Sequence, residues 1–153
     1  MTSRVYLMAV AALFAGDIAF GQEHKIKRSD LPAAVEKTVA AQSEGATIRG
    51  FSTEKEHGQI FYEAALTVAG HTKDILIDAK GQVVEVEEEV VFDQLPAPVK
   101  TGLLAKAAKG QIKKVESLTK HDTLVAYEAQ VVTNGKRSEI QVGPDGKPLR
   151  HEE

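Results

Sequence analysis

The chain reads as an α+β protein made of a tandem repeat. Each unit is a helix followed by about four antiparallel strands, and the helices pack on one face of the sheet. Three observations lead there. Tyr62-Glu63-Ala64, Gly70, Ile75 and Gly81 recur as Tyr127-Glu128-Ala129, Gly135, Ile140 and Gly146, each pair 65 positions apart, and repetition at a long fixed period marks an architectural unit. Leu31, Val35 and Val39 form an apolar stripe at i, i+4, i+8, and Leu95, Val99 and Leu103 repeat it. After each stripe the apolar period falls to two, as in a strand with one buried face.

The segment before the repeats has a different character. Arg4, the apolar run Val5–Ala15 and the small residues of Ala19-Phe20-Gly21 are the parts of a secretory signal peptide over residues 1–21. The apolar run is shorter than the roughly 20 residues that span a bilayer. A retained N-terminal anchor is the alternative, and no stable membrane insertion is expected once the signal is cleaved. Residues 22–29 read as a polar, basic, flexible leader. Repeat 1 then takes 30–92 and repeat 2 takes 93–153. The chain has no Cys, so its core alone must hold it together after export, and the two short halves are expected to share an interface.

Charge separates the halves. Residues 30–92 carry 12 Asp/Glu against 5 Lys/Arg, a balance of −7, whereas residues 93–153 carry 8 against 10, a balance of +2. Neither half has the basic footprint of a nucleic-acid binder.

In chain order, Asp30 is placed to cap the first helix, with Pro32 in its first turn and Gly45 closing it. Ile48 and Phe51, matched by Ile112 and Val115, are spaced by three, which points to a bulge in the first strand after each helix. Tyr62, Ala64, Leu66 and Val68 alternate with Phe61, Glu63, Ala65 and Thr67, so the Tyr-Ala-Leu set faces the helix and Glu63 faces away; Tyr127 and Glu128 repeat that division. Ala69-Gly70 and Asn134-Gly135 are hairpin turns, as is Asp145-Gly146. Gln82–Val91 is the last strand of repeat 1. Lys147–His151, carrying Pro148, is expected as a short edge strand ending repeat 2.

Leu-Pro-Ala-x-Val at the start of a helix, Tyr-Glu-Ala, the following Gly, the Ile/Val strand and the terminal Asp-x-Gly-Lys-type turn resemble PepSY-like domains. The tandem arrangement is similar to the exported bacterial proteins grouped as beta-lactamase-inhibitor-like, PepSY-like. The resemblance covers residues 30–150 and rests on turns and packing positions, so no site residue carries over. It implies a non-enzymatic periplasmic or secreted module that binds or inhibits another protein.

The residues themselves support no catalytic constellation. There is no Cys, no Ser stands in a nucleophile elbow, and the Gly residues fall in turns rather than in a phosphate loop. No cofactor is expected. The five His, at 24, 57, 71, 121 and 151, fall in turns or tails with no metal-ligand spacing.

The candidate partner surface is the sheet face away from the helices, bearing Phe61, Glu63, Leu76, Glu85, Glu87 and Glu89. An unidentified envelope protein is the expected partner. Two alternatives stand beside it. The row Glu85–Glu89 could bind a cation or small ligand, although carboxylates two apart on a strand are about 7 Å apart. The chain could also be a self-associating structural module. In a purely structural reading, the same Glu row is a solvated face that resists edge-to-edge aggregation.

Overall fold

The computed structural model describes residues 24–56, 58–151 and 153. The expected signal peptide, the first two leader residues and His57 lie outside them. The described strands are β1 (His24–Ile26), β2 (Thr47–Glu56), β3 (Gln59–Val68), β4 (His71–Asp78), β5 (Val83–Glu89), β6 (Gln111–Lys120), β7 (Thr123–Thr133) and β8 (Lys136–Val142). Helix α1 (Ala33–Gln42) lies between β1 and β2, and α2 (Ala97–Ala107) lies between β5 and β6. The eight strands form one sheet in sequence order, every neighbour antiparallel.

Both helices pack on the same face, where period-two residues meet the helical stripes. Val35 and Val39 of α1 pack with Ala64, Leu66, Ile75 and Ile77, flanked by Phe51 and Tyr62. Val99, Leu103 and Ala107 of α2 pack with Val115, Ala129, Val131 and Val142, flanked by Tyr127 and Ile140. The small side chains of Ala64 and Ala129 let each helix approach the sheet. Register shifts fall between Ile48 and Gly50 and between Ile112 and Lys114, where the three-residue spacing placed bulges. Asn134 and Gly135 both take positive φ (52° and 76°), as do Ala69 and Gly70 (50° and 89°), the geometry of tight hairpin turns.

Several expectations are corrected. Residues 24–26 of the leader are a strand, pairing Ile26 with Phe51 and His24 with Thr53. Asp30 does not cap α1. It sits in a 3₁₀ turn, Arg28–Asp30, and its carboxylate accepts the Lys27 N–H instead. The cause is Pro32, because a residue preceding proline is driven to extended backbone. Leu31 accordingly has ψ 136°, and the helix starts only after Pro32. The helix ends at Gln42, before Gly45.

Lys147–His151 forms no strand. Pro148 lacks the N–H that a ladder needs, and Lys147 is drawn into a turn in which the Gly143 N–H donates to its carbonyl at 2.8 Å. Four strands, β2 to β5, follow α1 as expected, whereas three, β6 to β8, follow α2, because the expected edge strand at its end does not form. β5 hydrogen-bonds to β6 as well as to β4, which makes the sheet continuous.

One close approach locks α2 to the turn after β8. A Cβ on Gly102 would lie 2.0 Å from the Gly146 carbonyl oxygen, and one on Gly146 would lie 2.1 Å from that of Pro98. Only glycine fits at either position.

Candidate functional site

The face opposite the helices carries the predicted surface. Strand pairing puts Glu63 beside Leu76 and Leu76 beside Glu85, with Phe61 two residues before Glu63 and Glu87 and Glu89 following Glu85 at the strand period. All six residues are therefore on one face. They are partly buried rather than freely solvated, so Phe61 and Leu76 do not form a bare apolar patch. The large exposed apolar residues are Ile60, Val91 and Leu104, which lie apart from this surface.

At its centre the face gathers carboxylates that adjacent strands supply. Asp74 of β4 is the direct partner of Glu87 on β5, while Glu116 comes from β6, where it pairs with Glu89. Asp74, Glu87 and Glu116 each offer a carboxylate oxygen, and these lie within 4.8 Å of one another. Spacing along one strand argued against such a cluster. Strands about 4.8 Å apart close the gap sideways.

Cations stand only at the margins of this group. Arg49 reaches over from β2, donating from Nη2 to Asp74 at 2.6 Å and from Nε to the Leu66 carbonyl at 3.0 Å. Lys114 holds Glu116 at 2.6 Å. Glu87 forms no hydrogen bond or ion pair among the described residues. Burial pushes its carboxyl up to about 8, and the nearby charges of Glu85, Glu116, Glu128 and Asp74 push the same way. Asp74 is also raised, chiefly by burial, against the opposing pull of Arg49. Glu89 behaves in the opposite way. The Thr72 backbone N–H donates to it at 3.0 Å and lowers its pKa.

The two ends of the face differ. Toward β1, a cleft of about 310 Å³ is lined by Lys25, Arg49, Ser52, Glu63 and Asp74 among others, with the Ser52 hydroxyl donating to Glu63 at 2.6 Å. Toward β8, Glu128 and Gln141 are paired strand neighbours, 8% and 2% exposed, and the Gln141 Nε2 donates to Glu128 Oε2 at 2.8 Å. Leu118 and Ala126 face each other on β6 and β7 and are also buried, yet they belong to neither helix-side core.

The sequence reading missed Asp74, Glu116, Lys114, Arg49 and Gln141. Parity along each strand would have put Asp74 with Leu76 and Glu116 with Leu118. The register that brings β4, β5 and β6 together left no local signal. Among the described residues, no helix is long and apolar enough to cross a membrane.

No protein-family description matches the chain, and no curated protein does. Solved structures do share its fold. A DUF2874 family protein from Bacteroides ovatus is 19% identical, with a TM-score of 0.62 over 78% of this chain and 85% of its own. A BLIP-like protein from Bacteroides fragilis is 20% identical, with a TM-score of 0.59 over 79% and 85%. A candidate periplasmic protein from Bacteroides eggerthii is 18% identical, with a TM-score of 0.64 over 78% and 86%. At these identities the likeness establishes the fold: two helices on one face of an open antiparallel sheet, as in the BLIP-like and DUF2874 proteins.

Proposed function

We propose that this chain is an exported, non-enzymatic PepSY-like binding module of the bacterial periplasm. Its open sheet face docks a basic segment of another envelope protein, contacting or inhibiting it. The observation that carries this reading is the convergence of Asp74, Glu87 and Glu116, with Glu87 lacking a cationic neighbour of its own. A partner's Lys or Arg placed there would favour the ionised form of Glu87, so docking would draw out a charge that the isolated fold suppresses by keeping the carboxyl protonated. The signal-like residues 1–21 and the fold shared with BLIP-like and periplasmic proteins support the location. The lack of any nucleophile–base pair in the sequence supports a binding role.

The test is a pull-down from envelope extract using the native chain, Phe61→Ala, and the charge reversal Glu85→Lys/Glu87→Lys. A specific protein should be retained by the native chain and lost with the reversal. Retention that ignores both changes overturns the reading.

A second reading has its own observation. Ca²⁺ takes oxygen ligands at about 2.3–2.6 Å, and three carboxylate oxygens within 4.8 Å of one another match that span. Thermal unfolding with millimolar Ca²⁺ should then rise for the native chain and not for Asp74→Asn. An unchanged midpoint removes it.

We also propose that the two halves are copies of one unit, strand–helix–three strands. On this reading β1 stands to α1 and β2 as β5 stands to α2 and β6.

A further inference from the structure

We infer that residues 147–153 form a displaceable strap that covers the β8 end of the open face, and that an extended segment of a partner bearing an acidic residue takes its place. This rests on the reading of the open face as a docking surface, and it concerns the end of that face away from Arg49.

The strap's path is unusual. The turn before it belongs to the helix side: Gly143 donates to the Lys147 carbonyl at 2.8 Å, Gly146 donates to the Gly143 carbonyl at 2.8 Å, and Gly146 lies against the backbone of Pro98 in α2. Glu153 is on the other side of the sheet. Its backbone N–H donates to Gln141 Oε1 at 2.8 Å, and its carboxylate lies 3.7 Å from Lys120 Nζ. The described residues 147–151 and 153 thus lie on both sides of the β8 edge, Lys147 by the helix layer and Glu153 on the opposite face, with Leu149 half-buried between them.

The receiving site is anchored to the sheet itself. Glu128 fixes the Gln141 carboxamide by accepting from its Nε2, which leaves Oε1 aimed at a backbone donor. Gln141 is almost fully enclosed, so its orientation is set by that bond rather than by solvent. Lys120 is shared between Glu85 of β5 at 3.9 Å and Glu153 at 3.7 Å. Gln141 Nε2 also donates to the Glu153 carbonyl at 3.5 Å, so the site reads the peptide N–H and C=O of one residue and its acidic side chain, features that any extended acidic segment can present.

The strap itself is lightly held. Among the described residues, no backbone hydrogen bond joins residues 148–153 to a strand. A few side-chain contacts hold it, which suits a segment that must leave.

Nuclear magnetic resonance on the labelled chain tests this without any partner. The Gln141 side-chain amide signals should move when the chain is shortened to end at residue 146. A synthetic peptide of residues 147–153 should move them back, together with the signals of Glu128 and Lys120. Gln141→Ala in the shortened chain should weaken the peptide about tenfold, the worth of one neutral hydrogen bond, and Glu153→Lys in the peptide should weaken it too.

In the full chain, Gln141→Ala should speed hydrogen exchange at the Glu153 amide, a measurement that does not need the shortened chain to fold. Gln141 signals that are identical with and without residues 147–153 overturn the inference. So does a Glu153 amide that already exchanges like a free peptide in the native chain. Either result leaves the envelope pull-down to judge the docking reading separately.

Discussion

Glu87 stands directly across from Asp74 in the β4–β5 register, so two carboxylates that both titrate above their usual range share one position on the open face. Like charges opposed in a sheet destabilise it. Here Arg49 relieves Asp74, and Glu87 is relieved only by keeping its proton.

Stability should therefore fall as pH rises through the window from about 4.5 to about 8. The folded pKa of Glu87 lies above its unfolded value, so the folded state binds the proton more tightly, and raising the pH forfeits that advantage. At about 1.4 kcal/mol per pH unit, the loss across the window is at most about 5 kcal/mol for this one group. Glu87→Gln should flatten the dependence and raise the unfolding midpoint at pH 8. Denaturant melts at pH 5 and pH 8 measure it, and equal slopes for the native chain and the variant would contradict the assignment.

Arg49→Met should destabilise the chain by roughly 1–2 kcal/mol, because the Leu66 carbonyl and the Asp74 carboxylate lose their donor together. It should also raise the Asp74 pKa further, which carboxyl-carbon resonance titration follows directly. Arg49→Lys should recover only part of the loss, since one ammonium cannot reproduce the guanidinium fork.

Gly102→Ala should cost about 2–3 kcal/mol by driving a methyl into the Gly146 carbonyl. Gly50→Ala is the matched control. Its Cβ would meet nothing within 4 Å and its φ is not positive, so thermal melts should show little change or a slight gain.

Leu103→Ala should cost on the order of 2–5 kcal/mol, as expected for a fully buried leucine. Leu104→Ala, one position on and exposed, should stay within about 0.5 kcal/mol of the native chain. The pair checks that α2 presents the face deduced from its stripe.

The sequence shows the fold wherever structure is periodic or turn chemistry is local. The Leu31–Val39 and Leu95–Leu103 stripes, the bulge at Ile48 and the Asn134-Gly135 turn depend on neighbours within a few residues, and each has a physical signature. β1 had none, because three residues such as His24–Ile26 cannot display a period, and only β2 makes them a strand. The start of α1 was misplaced because the restraint that Pro32 puts on Leu31 overrides the capping ability of Asp30. The face carrying Phe61, Glu63, Leu76, Glu85, Glu87 and Glu89 follows from parity alone. Its chemical centre does not, since the meeting of Asp74 with Glu87 and Glu116 depends on register across three strands.

Every strand pairs with its neighbours in sequence, and the β5–β6 pairing is closed across α2 rather than by a tight turn. Folding of the second half is then a matter of loop closure: β6 finds β5 only after about twenty intervening residues are gathered in, and docking of α2 is what shortens that search. Once closed, the sheet runs through both halves with no slack between them. The same backbone ladder therefore links β1 to β8 through every intervening strand.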